Sequence, residues 1–466
     1  MGKGLSYIGP LLVYCTFFAA DQFDVAAAVD EVVTNFTDKL LLLEACSPLL
    51  AANKALIWSK RVSPLHPLRW EEELKCHPDR QFADYVIRGV REGFRLGYDY
   101  HHHCISSSSN MKSADVHKSI VDKYIFGECE KGRVVGPLDR REFPDVQVSP
   151  FGVIPKKSPG EWRLIFDLSS PRGKSVNDGI NPDLCSLSYL TIDRLVEQMV
   201  KAGRGALMAK FDLKSAYRNV PVHPDDRWLL GMMWNGQLFV DTVLPFGLRS
   251  APIIFTAVAD ALEFVVKQRD ICWIGHYLDD FVLIGPQGSL KCKHSLECAL
   301  ELCDKLGLPI AVSKTEGPAT LLEILGIEFD SVSMVVRLPQ RKLAKLRELV
   351  ELWRKKKCCT KRDLQSLAGH LSHACKVVRP GKRFLRGIFG LLSLFKKKSH
   401  VIRLNGAFRA DLEWWHVFAE SWNGVSMMQQ TAEGSHDVHL WSDASGSWGC
   451  GAWWDNNWFQ LKWSFS

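Results

Sequence analysis

Residues 271–285 read ICWIGHYLDDFVLIG, two apolar runs parted by a pair of adjacent aspartates, Asp279 and Asp280. Each run is short, apolar and rich in β-branched and aromatic residues, which predicts strand, tight turn, strand. On a regular strand neighbouring side chains point to opposite faces, whereas at a hairpin turn both can approach one point. Taken alone, such a pair is more often an exposed polar turn. That plain reading weakens because both flanks are apolar, as in a hairpin at the centre of a sheet. It weakens further because a second site has the same character. In Lys210-Phe211-Asp212-Leu213, Asp212 ends the apolar strand expected over Ala206–Leu213, just ahead of a helix expected from about Ser215.

Carboxylates packed together repel one another unless cations neutralise them. Hard oxygen ligands at a turn suit magnesium. Two such ions ~3.5–4 Å apart are the usual clamp for in-line phosphoryl transfer. Asp212, Asp279 and Asp280 are therefore the candidate metal ligands and catalytic carboxylates, with two Mg2+ ions (or Mn2+) as cofactor.

Working outward, Ser149–Lys157 and Glu161–Leu168 predict two strands joined at Ser158-Pro159-Gly160, and Trp228–Leu244 a hairpin turning at Asn235-Gly236. A helix is expected near Ser250, with Pro252 early in it, and another over Leu290–Leu306, ending at Gly307. Upstream, Phe82, Val86, Val90 and Phe94 recur every four residues and predict one apolar helix face. Beyond Leu338 the pattern is helical, with a capping box at Thr360 and Asp363, and from about His436 it is β-rich again.

The whole chain carries +7, yet Arg337–Arg409 holds 21 Lys or Arg against Glu348, Glu351 and Asp363, a local balance of +18. A short charge run is usually a solvated helix face; a block this long reads as a surface for a polyanion. Fourteen irregularly spaced cysteines without a CxxC pair exclude a disulfide scaffold and a zinc knuckle, and fit a reduced, intracellular compartment. Leu5–Ala20 is apolar but short for a membrane span and lacks a cleavage site for secretion, so no membrane partner is expected.

Six segments then occur in one order: SPFGVIPKKSPGEWRLIFDLS (149–169), FDLKSAYRNVPVHP (211–224), LPFGLRSAPIIF (244–255), YLDD (277–280), GLPIAVSKTEG (307–317) and LGIEF (325–329). Together they resemble the retroelement reverse transcriptases over residues 148–330. The resemblance implies an α+β right-hand polymerase, with fingers, a palm whose antiparallel sheet is backed by helices, and a helical thumb. It implies that Asp212 and Asp279 bind the metals and that Asp280 supports them. It implies that Arg163, with Lys156 or Lys157, holds an incoming deoxynucleoside triphosphate. Tyr217 falls on the position that excludes a ribose 2′-hydroxyl, with a core aromatic as the equal alternative. Phe246 and Gly247 match the motif that packs against nucleotide and template. Lys314 matches a lysine that protonates departing pyrophosphate, or is a surface lysine near Gly317-Pro318. Leu325-Gly326 matches the turn that grips the primer.

Further on, LAGHLSHACKVVRPGKRFLRGIF (367–389), DLEWWHVFAESWNG (411–424) and LWSDASGSWGCGAWW (440–454) resemble the DIRS-type, tyrosine-recombinase retrotransposons. Asp443 matches the first carboxylate of a ribonuclease H fold whose remaining carboxylates do not follow, so an incomplete segment without ribonuclease H activity is expected. The expected organisation is 1–60 unassigned, 61–145 a helical extension, 146–338 fingers and palm, 339–430 basic thumb and connection, and 431–466 ribonuclease H-like. An RNA or DNA template–primer duplex and deoxynucleoside triphosphates are the implied partners. Two other functions remain: an RNA-directed RNA polymerase with the same palm, against which Tyr217 argues, and a nucleic-acid-binding relic without activity.

Overall fold

The structure is a computed structural model that describes residues 36–45, 63–102, 109–155, 160–397, 400–421, 423–427, 440–445, 448–454 and 457–462. In chain order the elements are helices α1 (36–45), α2 (Pro67–Glu73), α3 (Arg80–Glu92), α4 (Lys112–Val116) and α5 (Lys118–Glu130), then strands β1 (Val134–Leu138), β2 (Phe151–Pro155) and β3 (Trp162–Phe166). Helix α6 (Ile192–Ala202) leads into β4 (Leu207–Asp212), followed by β5 (Gly231–Trp234), β6 (Gln237–Asp241) and α7 (Ala251–Lys267). Next come β7 (Trp273–Tyr277), β8 (Asp280–Gly285), α8 (Lys291–Leu306), β9 (Glu316–Ala319), β10 (Leu321–Ile324), β11 (Ile327–Asp330) and β12 (Val335–Arg337). The rest is mostly helical, with α9 (Gln340–Lys355), β13 (Cys358–Thr360), α10 (Lys361–Ala374), α11 (Arg386–Ser393), β14 (Val401–Arg403), α12 (Gly406–Ser421) and β15 (Val425–Ser426). It closes with β16 (Leu440–Ala444), β17 (Gly449–Trp454) and β18 (Asn457–Lys462).

Two compact units divide this chain. One takes the residues up to Ser188, Leu213–Val265 and Leu302–Pro309. Its sheet runs β1-β6-β5, and the β2–β3 hairpin stands as a separate ladder. Asn235 and Gly236 both take positive φ (48° and 77°), the conformation that a two-residue turn between twisted strands demands. The Asp79 side chain caps α3 by accepting from the Phe82 amide at 2.9 Å.

Two local expectations fail in this unit. Phe94 is not on the α3 face, because the helix stops at Glu92 and Gly93 turns away at φ 102°. A Cβ on Gly93 would lie 2.5 Å from the His223 amide nitrogen, so backbone meets backbone there, and Phe94 is buried beyond the helix. The helix expected from about Ser215 is a single 3-10 turn, Ala216–Asn219, entered through Ser215 at φ 62°. Pro221, which has no amide hydrogen to continue a helix, follows at once.

The other unit takes Tyr189–Asp212, Val266–Glu301 and the residues from Ile310 onward. Its central sheet has the order β7-β8-β4-β9, with β8 antiparallel to both β7 and β4. Leu195 and Met199 of α6 pack on Met208, Val282 and Ile284 of this sheet, and the same apolar cluster continues through Phe329 to Leu346, Trp353, Leu371 and Trp415. The sheet is thus anchored to the C-terminal helices by one core. Thr360 caps α10 reciprocally with Asp363, as the sequence predicts. Between β10 and β11, Leu325 and Gly326 form a tight turn with positive φ at both (49° and 77°). Lys342 Nζ donates to the Gly326 carbonyl at 2.8 Å and pins that turn. Strands β16–β18 form a three-stranded antiparallel sheet. Among the described residues no helix is long and apolar enough to cross a membrane; the apolar run Leu5–Ala20 lies outside them.

Candidate active site

The two acidic sites meet across adjacent strands. Asp212, the last residue of β4, stands opposite Asp280, the first of β8. One step into the sheet, Phe211 and Phe281 stack at 4.9 Å with ring planes 5° apart. Alternation sends these rings to one face and the carboxylates to the other. Asp279 lies in the two-residue turn that joins β7 to β8, after Leu278 at φ 53°. A left-handed leucine costs about 1–2 kcal/mol, and the turn is held in it by the ladder on either side.

Asp212 is buried, and Lys314 Nζ donates to its Oδ2 at 2.8 Å. The short 3-10 turn Val312–Lys314 delivers that ammonium, and the Ala311 amide bonds the Asp212 carbonyl at 2.8 Å. Asp280 keeps contact with solvent, yet crowding by protein atoms, then the charge of Asp279 and a hydrogen bond with Asp212, push its carboxyl up to about 6. The hydrogen bond to Asp212, followed by the attraction of all three carboxylates against slight burial, raises the Lys314 ammonium above the usual lysine value. The cluster therefore stores negative charge and already draws one cation.

In the other unit a second group of expected residues lies together. The Tyr217 ring meets Phe246 at 5.2 Å and Phe255 at 5.3 Å between centroids. The Arg163 guanidinium, on β3, stands over the Phe246 ring at 5.7 Å from its centre. Gly247 has φ 100°, and a Cβ there would sit 2.5 Å from the Phe166 carbonyl oxygen. Gly247→Ala is therefore expected to destabilise the protein by at least about 1–2 kcal/mol from backbone strain alone, before the clash is counted. Urea denaturation of the two proteins measures it, and equal midpoints would contradict the packing described.

Asn177 had no sequence signal and proves to splint this motif. Its Nδ2 donates to the Gly247 carbonyl at 2.8 Å, and its Oδ1 accepts from the Arg249 amide at 2.8 Å. A reciprocal Ser175–Asp178 cap fixes the turn that carries it. Lys156 and Lys157 lie outside the described residues.

Comparison with known proteins settles what these segments are. Residues 154–329 match the family model of the reverse transcriptase (RNA-dependent DNA polymerase). This stretch is a reverse transcriptase domain. A Gag-Pro-Pol polyprotein of Mason-Pfizer monkey virus is 30% identical over 205 residues, 41% of this chain and 11% of that protein. Polyprotein P3 of Commelina yellow mottle virus is 25% identical over 219 residues, 47% of this chain and 10% of that one. The Tf2-3 transposon polyprotein of Schizosaccharomyces pombe is 25% identical over 187 residues, 40% and 13% of the two chains. The chain thus spans about a tenth of the length of these curated relatives. Among solved structures, the foamy viral protease-reverse transcriptase with double-stranded DNA superposes with a TM-score of 0.53 at 15% identity, over 89% of this chain and 68% of that one. The same foamy viral protein with an RNA/DNA hybrid gives 0.51, at 15% identity, over 90% and 54%. The fold is accordingly the right-hand polymerase fold of reverse transcriptases.

In the reverse transcriptase domain the donor chemistry fits a hard divalent cation: Asp212 and Asp280 face each other, Asp279 repels Asp280 from the turn, and an ammonium takes part of the charge. Among the described residues no three such ligands are gathered into one ready coordination shell. Outside the domain, Asp443 is exposed on β16, opposite Gly451, and its Oδ1 accepts from the Ala444 amide at 2.8 Å.

Proposed function

We propose that this chain is the RNA-directed DNA polymerase of a retrotransposon, joining a deoxynucleoside triphosphate to a primer 3′-hydroxyl on an RNA or DNA template. One observation carries the reading: Asp212 and Asp280 stand opposite each other on neighbouring strands, with Asp279 in the adjoining turn, each at the end of an apolar run. Asp212 and Asp279 would hold the divalent ions, with Asp280 in support. When bound, two Mg2+ or Mn2+ ions would activate the attacking hydroxyl and steady the leaving pyrophosphate.

The side chains have the remaining roles. Arg163, with Lys156 or Lys157, would bind the triphosphate, since a planar guanidinium meets phosphate oxygens in pairs. Tyr217 would close against a ribose 2′-hydroxyl, and Phe246 and Gly247 would bear on the nucleotide. Lys314 Nζ, held charged beside Asp212, would deliver a proton to the departing pyrophosphate. The basic segment 339–430 would follow template–primer phosphates as the thumb, behind fingers and palm at 146–338 and a helical extension at 61–145. Exposed Lys382, Arg383, Arg386, Lys396 and Lys397, none in an ion pair among the described residues, support that reading. The resemblance of 367–389, 411–424 and 440–454 favours a DIRS-type element, and the antiparallel sheet β16–β18, with Asp443 on its first strand, supports a ribonuclease H-like segment.

Primer extension on an RNA template with Mg2+ tests the proposal. Incorporation of deoxynucleotides, abolished by chelating the metal, is the expected result. Tight template–primer binding without extension would make the chain a nucleic-acid-binding relic, and ribonucleotide incorporation at an equal rate would make it an RNA polymerase.

A further inference from the structure

The turn that carries Tyr217 is locked from beneath by a buried charge network reaching outside the matched domain. Glu128 lies in the last turn of helix α5, Arg218 follows Tyr217, and Asp241 ends β6, four residues before Pro245. Their relative exposures are 6%, 4% and 4%. Arg218 Nε and Nη2 donate to Glu128 Oε2 at 3.1 and 2.9 Å, and Nη2 lies 2.7 Å from Asp241 Oδ1. Lys131 donates to the other Glu128 oxygen at 2.9 Å, and Arg133 reaches from Glu128 to the Asn219 side chain at 3.0 Å. Burial alone would raise the Glu128 carboxyl, but Arg218, Lys131 and Arg133 outweigh it and hold it below the usual range. Tyr124, partly buried beside the same charges, is pushed up to about 12, chiefly by loss of solvent around its hydroxyl.

A buried ion network gains little net stability, because desolvation offsets attraction, yet removing one member leaves an uncompensated charge. The segments this network joins are those of the nucleotide motif. The Val222 amide bonds the Thr242 carbonyl at 2.9 Å and the Leu244 amide bonds the Val220 carbonyl at 3.0 Å, tying the Tyr217 turn to the strand that leads to Phe246. Arg218 and Asp241 line a small cavity together with Tyr124, Phe166, Pro245 and Phe246. One guanidinium therefore anchors both segments whose rings, Tyr217 and Phe246, meet at 5.2 Å.

We propose that Glu128 and Asp241 are positioning residues for nucleotide selection: through Arg218 they set where the Tyr217 ring stands. Helix α5 then belongs to the working enzyme although it precedes the matched domain. The inference rests on the polymerase reading for its kinetic arm and on the structure alone for its spectroscopic arm.

In Glu128→Gln, the KM for deoxynucleotide is expected to rise, and the preference over ribonucleotide to fall, each by roughly 10-fold, since sub-ångström displacement of a positioning group carries penalties of that order. The kcat at saturating nucleotide is expected to stay within about 2-fold. The triple variant Glu128→Gln/Arg218→Met/Asp241→Asn, which removes the three most buried charges of the network together and leaves the half-buried Arg133 without its carboxylate partner, is the control for folding and should show the same pattern. KM and discrimination unchanged in both variants would overturn the proposal. The second arm labels the nine tyrosines with 3-fluorotyrosine and assigns the Tyr217 fluorine resonance by its loss in Tyr217→Phe. That resonance should shift or broaden in Glu128→Gln; a resonance identical to wild type would overturn the proposal even in a protein that extends no primer. Failure of wild-type extension, by contrast, overturns the polymerase reading and leaves this arm to decide the positioning role.

Discussion

Asp279→Asn is expected to reduce primer extension by at least roughly 10³-fold, equivalent to about 4 kcal/mol of transition-state stabilisation, while the protein remains folded. The substitution removes a charge and almost no volume. Asparagine suits the turn between β7 and β8 as well as aspartate does, so the ladder that pairs Tyr277 with Asp280 should persist. Loss of the Asp279 charge also relieves Asp280, whose carboxyl is pushed up in part by that neighbour. The melting temperature should therefore hold or rise slightly even as activity disappears. Steady-state extension and a thermal melt of the same preparation check both halves. Activity within tenfold of wild type would remove Asp279 from the metal ligands, and loss of activity together with a collapsed melt would reduce it to a structural turn residue.

The second large effect is expected at Tyr217. Tyr217→Ala should erode discrimination against ribonucleotides by roughly 10²-fold, the scale on which filling or emptying a pocket by a group this size changes selection. Its ring packs on Phe246 and Phe255 but is only half-buried, so one side is available to a sugar. The competing view, that it is simply a core aromatic, makes a different forecast: stability falls by a few kcal/mol as a cavity opens, and the ratio of deoxy- to ribonucleotide incorporation stays put. Competition between the two nucleotides on one template separates these outcomes directly.

How far the sequence could be read depended on how local each signal was. The hairpin over 271–285 was legible because two apolar runs flank a turn, and the Asn235-Gly236 hairpin because those residues tolerate positive φ. The Thr360–Asp363 cap was legible for the same reason, since both halves of the interaction lie within one helical turn. Leu278 was not legible: nothing in its chemistry announces a left-handed backbone, which the flanking ladder imposes. Phe94 kept the four-residue spacing of a helix face after the helix had ended, because Gly93 and its contact with residue 223 decide the matter from elsewhere in the chain. Ser215 likewise opens a 3-10 turn where helical spacing was expected. The Glu128–Arg218 pair joins positions 90 residues apart, and Asn177 reaches Gly247 across 70, so neither leaves a periodic mark. Asp212 and Asp280 are just as distant in the chain, but each sits where an apolar strand should not carry a charge, and that conflict was visible.

Asp212, Asp279 and Asp280 are expected to bind divalent cations together. Electron paramagnetic resonance of Mn2+ titrated into the wild-type protein and into Asp212→Asn/Asp279→Asn measures it without requiring catalysis. Wild type is expected to deplete the free-ion signal, and the double variant, equally well folded, to leave it undiminished. Identical titrations for the two proteins would contradict it.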